Sequence, residues 1–236
     1  MPSPISIIIP ALNEAESIGH VVSGMPWALI AECIVVDNGS TDATASIAKK
    51  TGARVIQSPR GYGAACLAGS KAAAASSSIL VFMDGDGSDI LADLPRLITP
   101  IQNDAADFVI GSRTRGVREP GSMLGSQIFA GRFVGVLLRL LRKGSYTDMG
   151  PFRAIRRVSL EKLQMSELTY GWNLEMQIKA VHHNLRILEV PVDYRRRIGG
   201  ASKVSGDLKA SIRAGFRILR VLFRVGLSRR RQSIDI

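Results

Sequence analysis

Asp84 and Asp86 stand one residue apart in the stretch Ser78-Ile79-Leu80-Val81-Phe82-Met83-Asp84-Gly85-Asp86-Gly87-Ser88-Asp89. Two carboxylates at this spacing can converge on one hard cation. Mg²⁺ or Mn²⁺ prefers oxygen ligands, commonly one or two carboxylates completed by phosphate oxygens of a substrate. The apolar run before them reads as a buried strand, and open α/β sheets bind ligands at the carboxyl ends of strands. The pair therefore points to a metal–diphosphate site; taken alone, a polar turn closing the strand explains it equally well. An EF-hand loop does not fit. Counted from Asp84, its glycine would fall on Asp89 and its bidentate glutamate on Pro95.

Other groups gather at the same presumed edge. Asp37 closes a second strand and suits either a nucleobase N–H or an Asx turn before Thr41. Pro10-Ala11-Leu12-Asn13-Glu14 leaves the first strand there and either lines the pocket or simply starts a helix. Arg60-Gly61-Tyr62-Gly63-Ala64-Ala65-Cys66 departs from a dinucleotide fingerprint, because Cys66 replaces the third glycine and the segment follows the third strand. A glycine turn feeding a tightly packed helix is the better reading. The loop Arg195-Arg196-Arg197-Ile198-Gly199-Gly200-Ala201-Ser202-Lys203 joins phosphate-binding side chains to glycines that permit close backbone approach; a solvated charge run is its alternative. His182 and His183 have no partner at zinc-ligand spacing and read as structural. No serine stands in a nucleophile elbow.

The elements that must position these groups alternate between strand and helix. Strands are predicted at Ser6–Ile9 (stopped by Pro10), Cys33–Val36, Arg54–Gln57, Ile79–Met83 and Asp107–Ile110. Helices are predicted to open at Asn13, to run from the Ser40-Thr41-Asp42 caps to about Lys50, and to span Gly61–Ala75 and Leu91–Ile101. This order argues for an α/β fold with a mainly parallel sheet covered on both faces. The second part predicts strands at Phe152–Ile155 and Ile187–Val192 around a helix at Trp172–His182. Amphipathic helices are expected at Ser126–Lys143 and about Asp207–Val225, the latter carrying a stripe of Lys209, Arg213, Arg217, Arg220 and Arg224.

At 236 residues and 46% hydrophobic content the chain can bury a substantial core. Cys33 and Cys66 form no disulfide framework and read as buried thiols. The start Met1-Pro2-Ser3-Pro4 lacks signal-peptide features, and no apolar run approaches a bilayer span, so a cytoplasmic protein is expected. The net charge of +11 is uneven: residues 1–112 hold 6 Lys/Arg and 11 Asp/Glu, residues 113–236 hold 25 and 9. A basic second half implies an anionic partner. A noncatalytic nucleic-acid-binding protein is disfavoured, because the first half is acidic and no basic platform is interleaved with aromatics.

Together these stretches resemble family 2 glycosyltransferases of the GT-A fold, particularly the dolichol-phosphate mannose synthase group. The matching residues are Ile7–Glu14, Val35–Asp42, Arg60–Gly63, Met83–Asp86, Gly111-Ser112-Arg113, Asp148–Arg153 and Gly199–Lys203, in order. The resemblance covers residues 4–206. It implies a transferase domain over 1–206, with a nucleotide-binding half (1–112) and an acceptor-side half (113–206), followed by a basic helix and tail (207–236). It also implies inverting hexose transfer from a nucleotide-diphosphate sugar of the UDP-glucose or GDP-mannose type. Pro10, Leu12, Glu14 and Asp37 would border the nucleoside, with Gly61 and Gly85 close to the donor. Asp84 and Asp86 would hold Mg²⁺ or Mn²⁺, with Ser88 or water completing the ligands. Arg113 and Arg197 would meet the diphosphate, with Lys203 a further phosphate contact. Leu12 stands where relatives often carry tyrosine, and Ser88 where they often carry glutamine.

A hydroxyl acceptor would need a general base, for which Asp148 and Glu175 are the candidates. A polyprenyl phosphate, already ionised, would need none, and the basic second half favours it over a soluble hydroxylated metabolite or saccharide. Apolar faces beside arginines in the two amphipathic helices fit peripheral attachment at the cytoplasmic membrane face, or packing on the core or on a second copy.

Overall fold

Alternation along the strands supplies two cores, one on each face of a single sheet. The computed structural model describes residues 4–123, 135–136 and 146–199. In β1 (Ile5–Ala11), Ile5, Ile7, Ile9 and Ala11 enter one core and Ile8 the other. β2 (Glu32–Asp37) sends Cys33 and Val35 one way and Ile34 and Val36 the other; β4 (Ile79–Phe82) divides Ile79 and Val81 from Leu80 and Phe82. Side chains buried this fully contribute about 2 kcal/mol each from removal of apolar surface.

The first core is covered by α1 (Ile18–Ser23), α2 (Thr44–Lys50) and α4 (Leu94–Gln102), through Ile18, Val22, Ala48, Leu94, Leu97 and Ile101. The second is covered by α3 (Tyr62–Ala72), α5 (Arg157–Leu163) and α6 (Trp172–His182), through Ala65, Cys66, Leu160, Trp172, Met176 and Ile178. With β3 (Arg54–Gln57), β5 (Phe108–Ser112), β6 (Arg153–Arg156) and β7 (Ile187–Pro191), the strand order is β3-β2-β1-β4-β6-β5-β7. All neighbours are parallel except around β6, which runs antiparallel to both β4 and β5. Insertion of β6 places residues from the basic second part in the middle of the sheet.

Two differences from the sequence reading have physical causes. β1 continues through Pro10 to Ala11, because Phe82, paired with Ile8, is the last residue of β4 on that side. The missing N–H of Pro10 therefore costs no ladder bond. α1 begins at Ile18 rather than Asn13: Asn13 is left-handed (φ 51°) and its Oδ1 accepts from Thr41 N at 2.8 Å. α5 was not anticipated. Apart from residues 135–136, which are helical, the expected helices 126–143 and 207–225, and Lys203, lie outside the described residues.

Chain order reverses between β1 and β4. From β1 the chain moves out to β2 and β3, then returns across β1 to form β4. A crevice opens beyond the carboxyl ends of strands at such a point. Ala11 and Leu12 leave one side of it, and Met83 and Asp84 the other.

Candidate functional site

The loop after β4 presents three acidic groups: Asp84 half-buried, Asp86 and Asp89 buried. Asp89 Oδ2 accepts from the Asp84 backbone N at 3.1 Å, while its Oδ1 is buried with no hydrogen-bond partner. Burial, then the charges of Asp86 and Asp89, hold the Asp84 carboxyl well above the ordinary range. Burial likewise pushes Asp89 up to about 7. The loop thus concentrates negative charge that a dication would relieve. Among the described residues no three acidic, His or Cys side chains form a ready-made metal cage. The carboxylates supply part of a coordination shell, as expected where diphosphate oxygens complete it.

Asp86 has two distinct oxygens. Oδ1 accepts from Ser88 N at 2.9 Å and lies 2.5 Å from Ser88 Oγ; Oδ2 pairs with Arg197 at 2.7 Å. Arg197 belongs to a strap that folds over the loop after β7. In it Arg195 N donates to Ser88 O (3.1 Å), Arg195 Nε to Gly87 O (2.6 Å) and Ile198 N to Asp86 O (2.9 Å). Gly87 is required here, with φ 77° and an added Cβ only 2.5 Å from Ile198 Cδ1. The structure therefore brings the basic loop onto the carboxylate loop.

Arg113, just past β5, is clamped by Asp148: Nε to Oδ2 at 2.7 Å, a second nitrogen to Oδ1 at 2.8 Å, and backbone N to Oδ2 at 3.0 Å. Burial works against the charge of each partner, but the pair outweighs it. The Asp148 carboxyl is held below its usual range and the Arg113 guanidinium above its own. A carboxylate so engaged is a poor proton acceptor and a good holder of an arginine. The fully buried Arg153 supports the Asp148–Gly150 turn by donating to the Gly150 and Asn173 carbonyls. Burial pulls the Arg153 pKa down to about 10.

On the β1–β2 side, Asp37 Oδ1 accepts from Ser40 N and Oδ2 from Gln57 Nε2, each at 2.9 Å, so Asp37 forms a turn at the end of β2. Glu14 is buried, with Ser17 Oγ donating to it at 3.2 Å; Pro10 and Leu12 are half-buried at the crevice. The same Ser17 hydroxyl lies 2.9 Å from Gly85 O, linking the two sides. Gly61 departs from a donor-contacting role. Its N–H is used by Asn38 Oδ1 at 2.8 Å, and a Cβ there would lie 2.2 Å from Leu168 O. This glycine turn is built for close packing of the chain before α6.

Glu175 also departs from its expected role. It is fully buried on α6, and its oxygens accept from Ser166 Oγ (2.7 Å), Ser166 N (3.1 Å) and Glu167 N (2.7 Å) and pair with Lys179 (2.9 Å). It anchors the segment that seats the Gly61 turn. Glu175→Gln is expected to lower stability by about 1–3 kcal/mol, read by chemical denaturation, because buried charge-assisted bonds are lost. Turnover per folded molecule and its pH profile should be unchanged. A general base would instead show a loss of about 10²–10⁴ in kcat.

Sequence reasoning missed Asp89, Arg153 and Tyr194. Asp89 was visible as a third carboxylate three residues past Asp86. Arg153 closes the Asp148–Arg153 stretch but was given no role there, and Tyr194 gave no local signal, since its partners Ser88 and Arg113 are distant in sequence.

The α/β sheet with one antiparallel insertion and an acidic loop at its reversal point has the architecture of the GT-A glycosyltransferases. The glycosyl transferase family 2 profile matches residues 6–164, and the chain belongs to that family. An uncharacterized glycosyltransferase of Mycobacterium tuberculosis is 37% identical over 212 residues, covering 88% of this chain and 93% of the relative. The dolichyl-phosphate hexose transferase of Haloferax volcanii is 34% identical over 200 residues (83% and 84%), and the polyprenol monophosphomannose synthase of Mycolicibacterium smegmatis 31% over 222 (85% and 81%). Among solved structures, glucosyl-3-phosphoglycerate synthase of M. tuberculosis, in complex with Mn²⁺, UDP-glucose and phosphoglyceric acid, superposes with a TM-score of 0.76. It is 23% identical, with 95% of this chain and 80% of that one covered. Among the described residues no helix is long and apolar enough to cross a membrane.

Proposed function

We propose that this glycosyltransferase moves a hexose, with inversion, from a nucleoside-diphosphate sugar to a polyprenyl phosphate. The observation that carries this reading is the pairing of Asp148 with Arg113 beside the Asp84–Asp89 loop. Both carboxylates that sequence offers as general bases are engaged, Asp148 by Arg113 and Glu175 by Ser166, Glu167 and Lys179. An acceptor that arrives already ionised needs no base, only orientation and cationic partners. Two relatives above 30% identity, a polyprenol monophosphomannose synthase and a dolichyl-phosphate hexose transferase, support the same choice.

The donor lies across the reversal point, its nucleoside bordered by Pro10, Leu12, Glu14 and Asp37. Mg²⁺ or Mn²⁺, held by Asp84 and Asp86, neutralises charge on the leaving diphosphate when bound. Ser88 holds Asp86 Oδ1, and Arg197, now paired with Asp86 Oδ2, would turn to the diphosphate if Asp86 held the cation, while Asp148 presents Arg113 in a fixed orientation. Lys203 adds a further phosphate contact. The basic residues Lys209, Arg213, Arg217, Arg220 and Arg224 supply charge to hold the enzyme at an anionic cytoplasmic membrane face.

The phosphoglyceric acid complexes among the structural neighbours favour a second reading, a soluble phosphorylated acceptor. One assay separates the two. Radiolabelled UDP- and GDP-hexoses are offered with Mn²⁺ to undecaprenyl phosphate in anionic vesicles and, separately, to 3-phosphoglycerate. Label should enter the organic phase, and the protein should sediment with the vesicles at low salt. Label transferred only to phosphoglycerate would overturn the lipid reading.

A further inference from the structure

Tyr194 belongs to none of the residues that mark the site, yet it touches both of the site's working parts. Its backbone is fixed from two sides: its N donates to Val117 O and its carbonyl accepts from Glu119 N, each at 2.9 Å, with bridge pairings to Asp89 and Arg118. The ring lies against the Arg113 guanidinium, 5.0 Å from Cζ to the ring centroid, within cation–π range. The hydroxyl lies 3.0 Å from Ser88 Oγ, itself 2.5 Å from Asp86 Oδ1. Serine has one hydroxyl proton, and an ionised carboxylate can only accept. The chain therefore runs from Tyr194 O–H to Ser88 Oγ, and from Ser88 O–H to Asp86. Burial, chiefly, pushes the Tyr194 phenol up to about 12, so it retains this proton at neutral pH.

The geometry points to Tyr194 as a positioning residue that fixes the cation-holding carboxylate and the diphosphate-holding arginine in one frame. Its hydroxyl acts on Asp86 through Ser88, and its ring acts on Arg113. The inference rests on the donor-site reading above, and the two contacts can be removed separately. Phenylalanine deletes the hydroxyl and keeps the ring; leucine deletes both.

Free Mn²⁺ is followed by electron paramagnetic resonance with saturating UDP or GDP, and nucleotide binding in EDTA by calorimetry. Tyr194→Phe should weaken Mn²⁺ by about fivefold to tenfold, the scale of one hydrogen bond, and leave nucleotide affinity in EDTA unchanged. Ser88→Ala should match it, and the double variant should be no worse than either single one, as expected for one shared chain. Tyr194→Leu should weaken both Mn²⁺ and nucleotide. Wild-type Mn²⁺ affinity in Tyr194→Phe would overturn the inference, as would equal loss of both affinities with a lower Tm. Absence of nucleotide-dependent Mn²⁺ binding in the wild type would instead overturn the donor-site reading itself.

Discussion

Asp86→Asn is expected to lower kcat/KM by about a thousandfold or more while leaving the metal-free protein folded and close to wild type in stability. The activity loss follows from removing a metal ligand: several kcal/mol of leaving-group stabilisation vanish, at about 1.4 kcal/mol per factor of ten. The stability expectation has its own cause. Asp86 is paired with Arg197, but its charge also helps to hold the Asp84 and Asp89 carboxyls above their ordinary range. Losing the pair with Arg197, whose side chain is 31% exposed, and losing the repulsion act in opposite directions, so the net change should stay within about 1 kcal/mol. Thermal stabilisation by Mn²⁺ with nucleotide should disappear. The comparison is made by denaturation in EDTA beside steady-state kinetics. A collapsed fold, or turnover within tenfold of wild type, would count against the assigned role.

The second large effect concerns the Arg113–Asp148 clamp. Asp148→Asn leaves a largely buried guanidinium without its counter-charge, a change that typically costs about 3–5 kcal/mol. Misplacement of Arg113 should add about a hundredfold loss in kcat/KM. Arg113→Lys keeps a charge but loses the two-pronged geometry, and should fall by a similar factor. Because the two residues act as one unit, the double variant should be little worse than either single one. A general base predicts otherwise. Asp148→Asn would then erase the acidic limb of the pH–rate profile while Arg113→Lys retained it. Kinetics across pH 5–9 for the three variants distinguish these outcomes.

The strand ends were legible because fully buried parallel strands are continuous apolar runs, and each run here stops at a polar turn. Ile79–Phe82 before Asp84 and Glu32–Asp37 show this directly. Between β5 and β7 the strand at Phe152–Ile155 and the helix at Trp172–His182 were legible, but the place of that strand in the sheet was not. Antiparallel insertion of β6 is set by pairing with residues about 75 positions earlier, such as Leu80 with Ile155, and no local period records it. Roles within the site were blurred for the same reason. Glu175 looks like a base in sequence, and only its contacts with Ser166 and Glu167 show an anchor. Gly61 belongs to a recognisable turn, but its neighbour is the Leu168 carbonyl, over a hundred residues away. Asp84 and Asp86 were visible because their spacing after an apolar run is itself the signal, although Arg197, which pairs with Asp86, lies 111 residues on.

The central claim is that this pair binds a divalent cation together with a nucleoside diphosphate. Titration of Mn²⁺ into the wild-type protein, with and without UDP or GDP, tests it most directly. The account predicts weak binding to the protein alone, at least about tenfold tighter binding with nucleotide because diphosphate oxygens complete the coordination shell, and loss of that gain in Asp86→Asn. Equal Mn²⁺ affinity with and without nucleotide, or the same gain in Asp86→Asn, would contradict it.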